Sequence, residues 1–239
     1  MDDPRRLDLH GMFRDPDMFE SRSSWKAAGF EVLNRSSNGK IMVACHPLVN
    51  GLVFKKYTSA VSQKDQRKNY ECRLEGTHHL RAFVEDHKLA RIAVPRKWIV
   101  TLPEEFAHQD QLLVAERFEL LDSKQSVNAY RRIDDVSLNE LCRVLFYFRG
   151  MDSNVNNLPF LTDDRIGLVD TEHWKRGTHK NYLQQVGEYM SSESLRTAEK
   201  IFRQLRHENR YAGPVIHDED SDAGNSSESL SSSSSSSSS

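Results

Sequence analysis

Between Arg149 and Trp174 the chain reads RGMDSNVNNLPFLTDDRIGLVDTEHW, and this stretch limits the possible folds more than any other. Asp152 and Asn157 stand five residues apart in an Asx-rich loop, and Asp170 follows thirteen residues later, closing the apolar run that begins at Arg165. Thr162-Asp163-Asp164 supplies turn-forming side chains ahead of that run. The spacing predicts a loop, a short hairpin and a carboxylate delivered at the end of the second arm. Such a hairpin brings Asn157 and Asp170 together, two oxygen donors of the kind that hard divalent cations prefer. A plainer alternative stays open at this point: an Asx-rich loop whose side chains only make turns, with Asn154 and Asn156 equally placed to shift the ligand assignment.

The approach to the loop is helical. Ser137 and Glu140 form an S-x-x-E capping pattern ahead of Leu138, Leu141, Val144, Leu145 and Phe148, which recur at helical spacing, and Gly150 stops the helix before Asp152. Asp122–Asp135 is polar and shows neither period.

The first half of the chain is β-rich. Phe30–Leu33 and Lys40–Ala44 flank SSNG, where Asn38-Gly39 signals a hairpin turn. Gly51–Thr58 reads as a third strand, with Val53 and Lys55 on one face and Phe54 and Lys56 on the other. Trp98–Val100 and Gln111–Leu121 read as two more strands, completing a five-stranded antiparallel sheet. Between them and the third strand, residues 63–89 carry apolar positions compatible with one helix, loosened at Gly76. The adjacent His78 and His79 have no Cys or His partners at metal spacing and read as structural.

Composition narrows the function. Against 33 Lys and Arg stand 35 Asp and Glu, a formal net charge of −2, which does not favour nucleic-acid binding. Cys45, Cys72 and Cys142 are odd in number and widely spaced, pointing to free thiols in a reducing compartment rather than a disulfide scaffold. No apolar run approaches the roughly 20 residues of a membrane span, and the N-terminus lacks a secretory h-region. A soluble, cytoplasmic protein is expected. Residues 1–24 read as a charged arm, and 213–239, acidic and ending in a serine run, as a disordered tail.

The D-x-x-x-x-N of Asp152–Asn157, the N-L-P-F that follows, and V-D-T-E at Val169–Glu172 together resemble the protein-kinase-like superfamily, most closely its small, divergent, effector-type members. The resemblance runs from about Phe30 to Trp174, and its specific part is 152–172. It implies a bilobal α+β fold, with a five-stranded antiparallel N-lobe over 25–121 and a reduced helical C-lobe over 122–212. It also implies ATP- and Mg²⁺-dependent transfer of a γ-phosphate to a protein hydroxyl, and for effector-type members export into a host cell by a non-Sec route. By that match Asp152 is the catalytic base and Asn157 and Asp170 are the metal ligands. Lys55 is the phosphate-pairing lysine, with Lys56 its rival. Glu75, or Glu71 one turn earlier, pairs with that lysine, and backbone groups from Glu116 to Phe118 meet the adenine edge.

The sequence also departs from the family. Thr171-Glu172 stands where many protein kinases have Phe-Gly, Gly150-Met151 precedes the loop aspartate, the first hairpin has only Gly39, and no activation segment follows. A pseudokinase-type nucleotide- or protein-binding module and a small-molecule kinase are the alternatives.

Overall fold

The structure is a computed structural model that describes residues 12–13, 16–19, 21–33, 40–58, 60–102, 106, 111–172, 174, 183 and 185–211. The SSNG turn, most of the N-terminal arm, Tyr182 and the tail lie outside these residues.

A 3₁₀ turn at Pro16–Phe19 leads to α1 (Arg22–Ala27), whose N-cap Ser21 accepts a hydrogen bond from the Ser24 amide. The strands β1 (Glu31–Val32), β2 (Ile41–Cys45) and β3 (Leu52–Tyr57) pair antiparallel in sequence. Helix α2 (Gln63–Asp86) follows, capped at Ser62. A two-residue strand, β4 (Ile92–Ala93), precedes β5 (Lys97–Thr101) and β6 (Gln111–Glu116). The main sheet has the order β1-β2-β3-β6-β5, antiparallel throughout, as the strand pattern predicts.

One face of this sheet carries an aromatic core. Phe13, Phe19, Trp25, Phe30 and Phe54 are buried and in edge or stacked contact. Each such burial contributes roughly 1.5–3 kcal/mol. The described part of the arm therefore belongs to the sheet's core.

The second half is helical. Helix α3 (Ser123–Arg131) occupies part of the stretch that shows no periodicity, and a capping box between Asp122 and Gln125 starts it. Its nine residues are too short for the apolar period to stand out. Helix α4 (Asp135–Tyr147) begins earlier than the S-x-x-E pattern places it, because Asp134 is its N-cap and accepts from the Ser137 amide at 2.8 Å. Glu140 instead reaches back to accept the amides of Ala90 and Arg91. Helix α5 (Ser192–Tyr211) packs on α4 and buries Ala198, Phe202 and Leu205 in a second core, shared with Leu141, Leu145, Leu158 and Leu168.

The strand β7 (Ile166–Gly167) pairs parallel with β4, Ile92 opposite Ile166 and Ala93 opposite Gly167. β7 lies inside the apolar arm Arg165–Val169 read from the sequence, but β4 and its parallel pairing had no sequence signal, since a two-residue strand carries no alternation. It joins the segment after α2 to the arm that ends in Asp170. The chain is thus a mixed α and β protein with a five-stranded antiparallel sheet.

Candidate functional site

The hairpin forms as the spacing predicts. Its arms are joined by Leu161 N–H to Arg165 C=O, Gly167 N–H to Pro159 C=O, and Val169 N–H to Asn157 C=O at 3.1 Å. Asp164 turns the chain with φ of 64°, a conformation that Asp tolerates. The last of these bonds places Asn157 directly beside the residue before Asp170.

The loop is fixed by Asx chemistry. Asn154 Oδ1 accepts the amides of Asn156 and Asn157, and Asn156 Oδ1 accepts from the Ser123 hydroxyl on α3. Both side-chain oxygens are thereby occupied in shaping the loop. Asn157 behaves differently: its Nδ2 donates to Asp152 Oδ2 at 2.9 Å, which leaves its Oδ1 as the acceptor end of the amide. Asp152 is exposed, and its Oδ2 also accepts from Asn154 Nδ2.

Lys55 closes the constellation. Its Nζ donates to the Val169 carbonyl at 3.2 Å, so hydrogen bonds run from Asp152 through Asn157 and Val169 to Lys55. Burial pushes the Lys55 ammonium below its usual pKa, partly offset by the Asp170 carboxylate. Lys56 faces the other way. It is fully buried in the aromatic core, donating to the Gln111 carbonyl with Phe19 beneath it.

Asp170 is the electrostatic centre. Burial raises its pKa, but Arg73, Lys55 and Lys97 outweigh that and hold it well below the ordinary carboxylate range. Its Oδ1 lies 3.4 Å from Arg73 Nε and accepts the Glu172 amide. About a third of the side chain remains open, at 32% exposure.

The expected glutamate partner on α2 is not where Lys55 is. Glu75 is partly exposed, with its carboxylate 3.9 Å from His79 Nε2, and Glu71 is exposed. Asp170, Arg73, Glu172 and Lys97 are among the charges that act on Lys55. The reason is helical phase: Gln66, Tyr70, Arg73, Thr77 and Leu80 form the buried stripe of α2, which carries Glu71 and Glu75 off to the flank. Arg73 therefore takes the inward position and pairs with Asp170 and Glu172. Its guanidinium lies over the Tyr57 ring.

At the β6 end, the Glu116 amide donates to the Arg96 carbonyl and the Arg117 amide to the Gly51 carbonyl, so these two donors are already engaged. The Glu116 carboxylate accepts from the Arg96 amide and pairs with its guanidinium at 3.5 Å. Phe118 is partly buried at this end of the sheet.

Three residues of the site escape sequence reasoning: Arg73, Lys97 and Thr171. Polar residues in a helix stripe, at a strand start and after a motif aspartate look solvated in a linear reading. A cation at a phase otherwise filled by Tyr70, Thr77 and Leu80 is the signal that was present for Arg73.

No family model and no curated protein matches the chain. Among solved structures it is similar to the co-crystal structure of WbdD and the kinase inhibitor LY294002, at 15% sequence identity and a TM-score of 0.34. The match covers 60% of this chain and 32% of that one, so this chain spans well under two thirds of that structure. Among the described residues no helix is long and apolar enough to cross a membrane, and no group of three or more His, Cys, Asp or Glu is placed to hold a metal.

Proposed function

We propose that the protein is an ATP- and Mg²⁺-dependent phosphotransferase of kinase-like type, acting on a protein hydroxyl. The observation that carries this reading is the run of hydrogen bonds from Asp152 through Asn157 and Val169 to Lys55, with Asp170 next in the chain. It gathers an exposed carboxylate, an amide oxygen and a partly open carboxylate from the 152–170 stretch with an ammonium from distant β3.

The donor set fits the metal. Asn157 Oδ1 and Asp170 Oδ2 are hard oxygen donors, and Mg²⁺ retains several waters, so two protein ligands suffice. That also reconciles the site with the absence of a three-residue acidic or His/Cys cluster among the described residues. When bound, the metal supplies neutralisation of phosphate charge. Lys55 would pair with nucleotide phosphate, released from the Val169 carbonyl or sharing it. Asp152, held by two amide donors, would orient an acceptor hydroxyl and take its proton.

Asp170→Ala is expected to abolish metal-dependent ATP turnover while the protein stays folded, read by phosphate release and by circular dichroism. Turnover at the wild-type rate in that variant would sink the assignment.

A second reading, a nucleotide-binding module without turnover, is favoured by one observation: Arg73 already lies 3.4 Å from the carboxylate that would hold the metal. Thermal-shift titration with ATP, with and without Mg²⁺, separates the two when followed by a transfer assay. Binding that needs no metal and leads to no transfer supports the module.

A further inference from the structure

Lys97 opens β5 with its side chain only 3% exposed, and its Nζ donates to Thr171 Oγ1 at 2.8 Å. Thr171 is fully buried, and its hydroxyl donates to the Arg73 carbonyl at 2.7 Å. Thr77, one turn further along α2, donates its hydroxyl to the same carbonyl and lies 3.2 Å from Thr171 Oγ1. The residues on either side of Thr171 are tied to the same helix position, Asp170 and Glu172 both to the Arg73 guanidinium. Three consecutive residues are thus anchored on one residue of α2, with a lysine from the sheet as the fourth tie.

A buried lysine is a costly choice for packing alone, since an apolar side chain of similar length is often neutral or more stable in such a place. What Lys97 provides is direction. Its Nζ donates to the Thr171 oxygen while the Thr171 hydroxyl donates to the Arg73 carbonyl, and burial lowers the lysine's pKa well below its usual value. With an apolar residue in its place, the Thr171 oxygen would lose that donor and the turn carrying Asp170 would lose this hydrogen bond to β5.

We propose that Lys97 and Thr171 are positioning residues of the phosphotransfer site, through which the sheet and α2 together hold the Asp170–Glu172 turn against Asn157 and Lys55. The functional half of this proposal rests on the phosphotransferase reading; the anchoring half stands without it. Neither residue touches substrate. Both act through Asp170.

The test uses the full chain with Lys97→Met, Thr171→Val and Thr171→Ser. In ligand-free protein, amide hydrogen exchange at 169–172 is expected to quicken about tenfold in Lys97→Met and Thr171→Val, the effect of one lost buried hydrogen bond on local opening. Exchange in the α4 core should not change, and Thr171→Ser should restore the wild-type rate. With ATP, the first two variants are expected to need more Mg²⁺ for half-maximal response and to lose kcat with KM for ATP little changed, as for a misplaced group that acts in the transition state. Unchanged exchange at 169–172 in both variants, or exchange that quickens equally throughout the protein, overturns the proposal. Should Lys97→Met fail to fold, Thr171→Val against Thr171→Ser decides it by the same measurements. If the wild type shows no response to ATP and Mg²⁺ while Thr171→Val still loosens 169–172, the phosphotransferase reading falls and the anchor stands.

Discussion

Lys55 and Lys56 are neighbours in sequence with opposite fates. The period of two in β3 sends Phe54 and Lys56 into the aromatic core and turns Lys55 toward the hairpin. Their substitutions should therefore separate chemistry from stability. Lys55→Met is expected to keep the melting temperature near the wild-type value and to lose nucleotide-dependent turnover. Lys56→Met should leave the site groups in place and change stability instead, removing a buried donor from the Gln111 carbonyl at a cost of about 1–3 kcal/mol, unless the apolar replacement recovers it. Denaturant melts beside a phosphate-release assay check both. Cys142 gives a second residue-scale expectation: burial pushes its thiol up to about 12, so it should resist a thiol reagent at neutral pH until the protein unfolds.

Among the elements, α2 shows how a glycine can be misread. Gly76 lies within a continuous helix, not at a break. A Cβ there would sit 2.3 Å from the Thr171 carbonyl oxygen and 2.6 Å from Trp174 Cδ1, so the residue is small because the turn after Asp170 packs against it. Gly76→Ala gains helix propensity, about 1 kcal/mol, yet should destabilise the protein by roughly 1–3 kcal/mol through overpacking against backbone that has little room to move. A lower melting temperature with raised exchange at 169–174 is the expected outcome. Helix α4 carries one of the pH-dependent contributions to stability. The Ser137 amide bonded to Asp134, outweighing partial burial, lowers the carboxyl below its ordinary value of 3.8. A depressed acid stabilises the fold above its unfolded pKa, and that contribution is lost as pH falls through the folded value. Asp134→Ala should cost about 1 kcal/mol at neutral pH, and the gap between variant and wild type should close on acidification below the ordinary value.

For the whole molecule, the sheet and the helices carry separate hydrophobic cores, and the described arm residues complete the first. Phe13, Met18 and Phe19 are each at most 3% exposed. At roughly 1.5–3 kcal/mol each, they supply a large part of a stability that is commonly about 5–15 kcal/mol. Removing residues 1–20 is therefore expected to abolish cooperative melting or drive aggregation, seen by calorimetry and light scattering. A melt left unchanged by the truncation would show that these side chains do not complete the core.

Local pattern alone carried the five strands, the two faces of β3, the helix before the loop and the hairpin that joins Asn157 to Asp170. These are legible because alternation, turn residues and caps act over a few residues. Partnerships across the chain were decided only by tertiary structure. Arg73 and Glu172 are 99 residues apart, and Lys97 and Thr171 are 74 apart. A polar side chain at a helix or strand position looks the same in sequence whether water or a buried carboxylate lies opposite. The phase of α2 against the sheet settled that choice, turning Arg73 inward where a glutamate was expected and leaving Glu75 on the flank. The hairpin that brings Asn157 to Asp170 could be read from spacing and turn residues. The groups that hold Asp170 in place could be found only once the chain had folded around it.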